Sequence, residues 1–164
     1  MEAFSEEQNF IKNWWILMLV ILVLSAVPMY ASANQPIEEL IFPLIIMVVV
    51  IVFFYFLSLH SRIDDKGISV KFGFFQRHFK EYKWENIKSV EIRKYNPIWE
   101  YGGWGYRGWN RRNRAFSVSG NIGLQIILND RNVVMIGTKE SEKMKNYLLY
   151  LKGKYQIAAL AAIN

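Results

Sequence analysis

Two long uncharged apolar runs occupy the first part of the chain, and a shorter alternation of apolar and polar positions takes over after them. No charged residue occurs from Asn13 to Ile37, or from Leu40 to Ser61 when His60 is taken as neutral. Each run exceeds the ~18 apolar-rich residues that mark a membrane-spanning helix. The pattern therefore predicts a transmembrane helix over 13–33, an external turn over 34–39 and a second transmembrane helix over 40–60. An N-terminal segment, 1–12, precedes them. Trp14, Trp15 and Tyr30 stand at the ends of the first run, where a headgroup belt favours aromatic rings, and Pro43 falls in the first turn of the second, where a missing amide costs little. Ala31-Ser32-Ala33 also has the small-x-small form of a leader cleavage site. The three Glu and one Lys ahead of the run argue for a retained helix, because a leader has a net positive start.

Beyond residue 61 the period changes to two. Ile68, Val70 and Phe72 alternate with Ser69 and Lys71, and Asp64-Asp65-Lys66-Gly67 supplies a turn that pairs this strand with one ending near Asp64. Further strands follow at SVEIRKY, AFSVSG, NIGLQIIL and VVMIG, with Asn129 and Asp130 at a hairpin turn. Met144, Tyr147, Leu148 and Leu151 recur at helical spacing, with Thr138 as a candidate cap and Gly153 as the stop. The domain is expected over 61–152, with an apolar tail over 153–164.

Charge sharpens this reading. The whole chain carries a formal +6. Residues before Arg62 contribute about −4, so about +10 lies in the C-terminal part. Arg62, Lys66, Lys71, Arg77 and Lys80 crowd behind the second run, which by the positive-inside rule puts both termini in the cytoplasm of a multi-pass protein of the cell membrane. There is no cysteine, which excludes disulfides, thiolate metal sites and cysteine nucleophiles.

IDDKGISV at 63–70, WENIKSVEI at 84–92, GGWGYR at 102–107 and AFSVSGNIGLQIIL with VVMIGT at 133–138 resemble a family of small bacterial membrane proteins. Its members place a pleckstrin-homology-like (PH-like) domain after a pair of transmembrane helices. The resemblance implies an α+β membrane protein. A two-helix transmembrane hairpin would lead into an antiparallel barrel or sandwich of about seven strands with a C-terminal amphipathic helix. It is a poor guide to activity, because most members of the group have no assigned biochemical role, and phosphoinositide recognition is not inherited, because GFFQRHFK supplies only Arg77 and Lys80 in the first hairpin.

The chemistry-bearing motifs are few. Gly103, Gly105 and Gly108 match the G-x-G-x-x-G spacing of a dinucleotide fingerprint, but Pro97 lies before them and a strand-like segment after them, so no helix N-terminus is available to hold a pyrophosphate. His60 and His78 are the only histidines, and no hydrolase or metalloprotease motif surrounds them. No catalytic residue, cofactor or metal site is expected. What remains is an insert holding Trp99, Tyr101, Trp104, Tyr106, Arg107, Trp109, Arg111, Arg112 and Arg114, a mixture suited to protein surfaces or anionic lipid headgroups. The same rings could equally fold back on their own domain.

The expectation is a non-enzymatic, membrane-anchored module that contacts a protein partner, a second copy or lipid headgroups at the bilayer surface. No nucleic acid is expected, because the basic patch is local. A second reading makes it a scaffold subunit of an envelope or transport complex, with specific binding carried by the hairpin.

Overall fold

Every second side chain of β2 (Ser58–Ile63) is buried, and its inward residues face those of β3 (Gly67–Phe72): Leu59 lies opposite Phe72, Ser61 opposite Val70 and Ile63 opposite Ile68. The turn between them forms because the Asp64 carboxylate accepts from the backbone amides of Lys66 and Gly67 at 3.0 and 3.1 Å. In this computed structural model residues 3–10, 37–73, 76, 78–110, 112–161 and 163 are described. They divide into two compact units, Met1–Gln8 with Ser58–Asn164, and Asn9–Leu57.

In the first unit, β1 (Phe4–Asn9), β2, β3 and β4 (Lys80–Lys83) form a sheet in that order. The second sheet takes β5 (Ile87–Lys94), β6 (Gly105–Asn110), β7 (Asn113–Ser117), β8 (Ile122–Leu128) and β9 (Val133–Gly137) in the order β5-β8-β9-β7-β6. Its pairs are antiparallel except β7 with β9, which run parallel from Asn113 opposite Val133 to Phe116 opposite Ile136. On one face Val90, Leu124, Ile126, Ile136 and Phe116 are almost fully buried. A short helix, α2 (Pro97–Tyr101), stands between β5 and β6, and α3 (Ser141–Tyr155) follows β9 and buries Met144, Leu148 and Leu151. Helix α3 continues past Gly153 and ends at Gln156 in the left-handed region.

The second unit contains α1 (Ile37–Tyr55), 19 residues long, whose Ile45, Val49 and Phe53 side chains are exposed. The predicted transmembrane hairpin is corrected here: among the described residues no helix is long and apolar enough to cross a membrane. Glu38 and Glu39 occupy the first turn of α1, so its uncharged part runs only from Leu40 to Tyr55. That stretch rises about 24 Å at ~1.5 Å per residue, against a hydrocarbon core of ~30 Å. The last residues assigned to the second span are instead the start of β2, committed to a sheet. The predicted first span and the first half of the predicted turn lie outside the described residues. The multi-pass membrane placement, with both termini in the cytoplasm, therefore has no spanning helix among the described residues to rest on. The PH-like fold is corrected as well, since the described residues form nine strands in two sheets and one pair is parallel.

The segment 1–12 contains β1, whose Phe4, Glu6 and Gln8 are all buried. The Glu6 carboxylate accepts from the Thr138 hydroxyl at 2.5 Å, the Lys139 amide at 2.8 Å and the Gln8 side-chain amide at 2.9 Å. Gln8 also donates to the Gly137 carbonyl at 2.8 Å. Thr138, expected as a helix cap, spends its hydroxyl proton on this network. Replacing Glu6 with Ala removes the acceptor of three hydrogen bonds, two of them buried, and is expected to cost about 2–4 kcal/mol, since hydrogen bonds to charged groups contribute ~1.5–3 each and are not additive. Urea denaturation of the full chain measures this, and a loss below about 0.5 kcal/mol would show that the latch does not hold the fold.

Candidate functional site

The aromatic and arginine insert folds into α2, a glycine turn and the β6–β7 hairpin at the edge of the second sheet. Asn96 starts α2, its side chain accepting from the amides of Ile98 and Trp99 at 3.1 and 3.2 Å, and Pro97 fills the first helical position. Gly102 ends the helix at φ 78°, a left-handed conformation that lets its amide close on the Ile98 carbonyl. Arg93 of β5 reaches across to Glu100 at 2.7 Å, and this hydrogen bond holds the Glu100 carboxyl below the usual carboxylate range. Tyr101 is buried edge-on against Tyr95, in a cluster with Ala115 and Met135.

The outcome for Trp99 is a side chain 82% exposed on a helix fixed from several directions, with the exposed Ile98 beside it. Trp104 is half-buried and donates its indole N–H to the Gly120 carbonyl at 3.0 Å. Tyr106 lies flat on Phe116, ring centres 4.9 Å apart, and its hydroxyl accepts from Arg114 at 3.0 Å. Arg107 is exposed and donates to the Trp104 carbonyl at 3.3 Å. Trp109 belongs to β6, and Arg111 lies outside the described residues.

The predicted residues thus do not form one surface. Trp99, Tyr106 and Arg107 are exposed, whereas Tyr101 is an internal anchor. Burial lowers the pKa of Lys80 on β4, and the charge of Arg114 adds to that effect. Arg112 sits in the β6–β7 turn and lines an open groove of about 490 Å³ with Arg93 and Arg131. Arg93 and Arg131 lie outside the insert and carried no sequence signal, because long-range strand pairing, β5 with β8 and β7 with β9, brings their segments to it.

The glycine motif has a structural explanation. Strand β6 begins at Gly105, so a strand and not a helix leaves the motif. At Gly108 an added Cβ would stand 2.2 Å from the Asn113 carbonyl oxygen across an irregular stretch of the hairpin, a close approach that only glycine permits.

His60 gains neighbours that the sequence did not announce. Its Nε2 is 3.0 Å from the Ser58 hydroxyl, and its Nδ1 is 3.8 Å from the Glu7 carboxylate. Those atom types occur in nucleophilic triads, but Glu7 stands beyond hydrogen-bond reach and its side chain is 65% exposed, so it does not orient the ring as such a mechanism requires. The three residues instead line adjacent strands β1 and β2. Among the described residues, no group of three or more His, Cys, Asp or Glu is placed to hold a metal ion.

Comparison with known proteins brings no relative to this site. No family model matches the chain, and neither a curated protein nor a solved structure does.

Because the folded Glu100 titrates lower than the unfolded one, its pairing with Arg93 is complete above the ordinary Glu value of about 4.3 and is lost as pH falls through the lower folded value. Amide exchange at residues 98–101, corrected for intrinsic rates, is expected to accelerate on acidification below that range, and Glu100→Gln is expected to abolish the step. An unchanged step in the variant would assign it to another group.

Proposed function

We propose that this chain is a non-catalytic binding module whose contact surface for a protein partner is centred on α2. The observation that carries the reading is the exposure of Trp99, 82%, on a five-residue helix held by a cap, an ion pair and a buried tyrosine. Tryptophan burial dominates many interfaces, and a rigid platform lowers the ordering cost of binding. Ile98, exposed and next to Trp99 in the helix, adds apolar surface of the kind such anchors favour.

A protein partner fits this arrangement better than an anionic lipid surface. Of the arginines that would face such a surface, Arg114 is bonded to Tyr106 and Arg112 lines a separate groove. The scaffold reading loses its basis, because it needed the transmembrane hairpin.

A photo-crosslinking side chain at position 99 of the full chain, in the cells that make it, is expected to give a discrete protein adduct. The same group at exposed Glu81 on β4 of the first sheet is expected to give none. Against the partner so identified, Trp99→Ala should weaken affinity by about thirtyfold, the ~2 kcal/mol of a typical anchor. Equal crosslinking at both positions, or equal affinity of the variant, would overturn the assignment.

A further inference from the structure

Two cations occupy positions where the strand pattern puts core residues. On β4, Lys80 and Tyr82 share a face, and the register sets Lys80 opposite the buried Val70 of β3 and Tyr82 opposite the buried Ile68, so both side chains leave the core side of the first sheet. On β7, Arg114 stands two residues before Phe116 and opposite the buried Val134 of β9, which puts it on the core side of the second sheet. Tyr106 of β6 lies opposite Phe116 and stacks on it, so its ring is on that side as well.

These four side chains meet across the gap between the sheets. The Lys80 Nζ lies 5.3 Å from the centre of the Tyr82 ring, and Arg114 donates to the Tyr106 hydroxyl at 3.0 Å. The Arg114 charge acts on both Lys80 and Tyr82, and Tyr106 acts on Tyr82. Lys80 and Arg114 are only half-buried, so the gap is reached from solvent at this end. Burial holds the Lys80 ammonium below the ordinary lysine range, and the Arg114 charge lowers it further. Among the described residues nothing neutralises the pair: Lys80 contacts an aromatic ring, Arg114 a neutral hydroxyl, and neither has a carboxylate partner. The bond to Tyr106 leaves Arg114 most of its N–H donors. The Tyr82 hydroxyl, enclosed in the same gap, has no hydrogen-bond partner, although buried hydroxyls ordinarily have one.

We infer that Lys80 and Arg114 bind a phosphate group, free or carried as a phosphomonoester, where the two sheets open to solvent. Two cations balance a phosphate dianion, the guanidinium fork matches its oxygens, and the ammonium adds a compact point charge. Like charges facing each other in a partly desolvated gap repel in the empty protein, and a bound dianion replaces that repulsion with two attractions. The site does not rest on the protein-partner reading, since Trp99 takes no part in it.

Lys80→Met separates binding from folding. It sets an apolar chain on the core side of β4 and removes the repulsion, so urea denaturation without ligand is expected to find the variant at least as stable as the parent. The full chain would be titrated calorimetrically with glycerol phosphate at about pH 7, above the ~6 at which a phosphomonoester takes its second charge, and in a second arm with inorganic phosphate. Saturable binding that weakens about tenfold or more in both Lys80→Met and Arg114→Gln, with Lys83→Gln on the opposite face of β4 unchanged, is the expected result. Tighter binding of glycerol phosphate identifies an ester as the ligand, and equal or tighter binding of inorganic phosphate identifies the free ion. No saturable binding in either arm, binding that either core-side variant leaves intact, or an equal loss in Lys83→Gln would overturn the proposal.

Discussion

A buried carboxylate near the start of the chain ties the first strand to the far end of the fold. Glu6 accepts three hydrogen bonds, two of them from Thr138 and Lys139, more than 130 residues further on. A charge so enclosed is tolerable only because its oxygens are supplied with donors, and removing any one partner costs more than the bond contributes. Register follows from this. A slip of one residue in β1 would turn Glu6 and Gln8 outward and bring Ser5 and Glu7 into the interior. Phe4 adds a contact with Tyr147 of α3, and the Thr138 hydroxyl accepts from the Glu140 amide just before that helix. One side chain therefore sets the path of the first strand, the β9–α3 connection and the start of the helix.

The second consequential constraint is the parallel pairing of β7 with β9. The chain reverses from β7 to β8 over residues 118–121 and again from β8 to β9, so β7 and β9 run in the same direction. On one face of β7, Phe116 meets Ile136 in the main core, while Ala115 meets Met135 on the other, under Tyr101. That second small core is where α2 docks. The same strand pairing aligns the turns that carry Arg112 and Arg131, so the tryptophan platform and the arginine groove share one topological cause.

Elements with a clean period were legible in the chain. Ile68, Val70 and Phe72 alternate because one face of β3 is buried, and Met144, Leu148 and Leu151 repeat because one stripe of α3 is. The Asp64 turn was legible from its own local hydrogen bonds. Strand β1 was not, because its inward positions are Phe, Glu and Gln, a polar alternation whose partners lie at residues 137–139. The hairpin of membrane helices was a misreading of uniform hydrophobicity. Apolar content alone did not reveal the glutamates at the start of α1 or the commitment of Ser58 onward to a sheet. Within the site, the tryptophan and glycines of the insert were visible locally, whereas Arg93 and Arg131 enter only through long-range pairing.

Magnitudes decide what holds α2. Five residues are too few for a stable isolated helix, so the segment depends on its attachments. The Arg93–Glu100 pair is partly exposed, 27% and 35% for its side chains, and pairs of that kind contribute about 0–1 kcal/mol after solvent screening. The Asn96 cap contributes about 1 kcal/mol. Tyr101, only 3% exposed, removes most of an aromatic ring from water, which contributes on the order of 2 kcal/mol. The residue whose type suggested a contact surface is thus the anchor. Trp99, two positions earlier, points away from that anchor and gains little from folding. Among the described residues its side chain joins no core, and a partner surface is what would bury it.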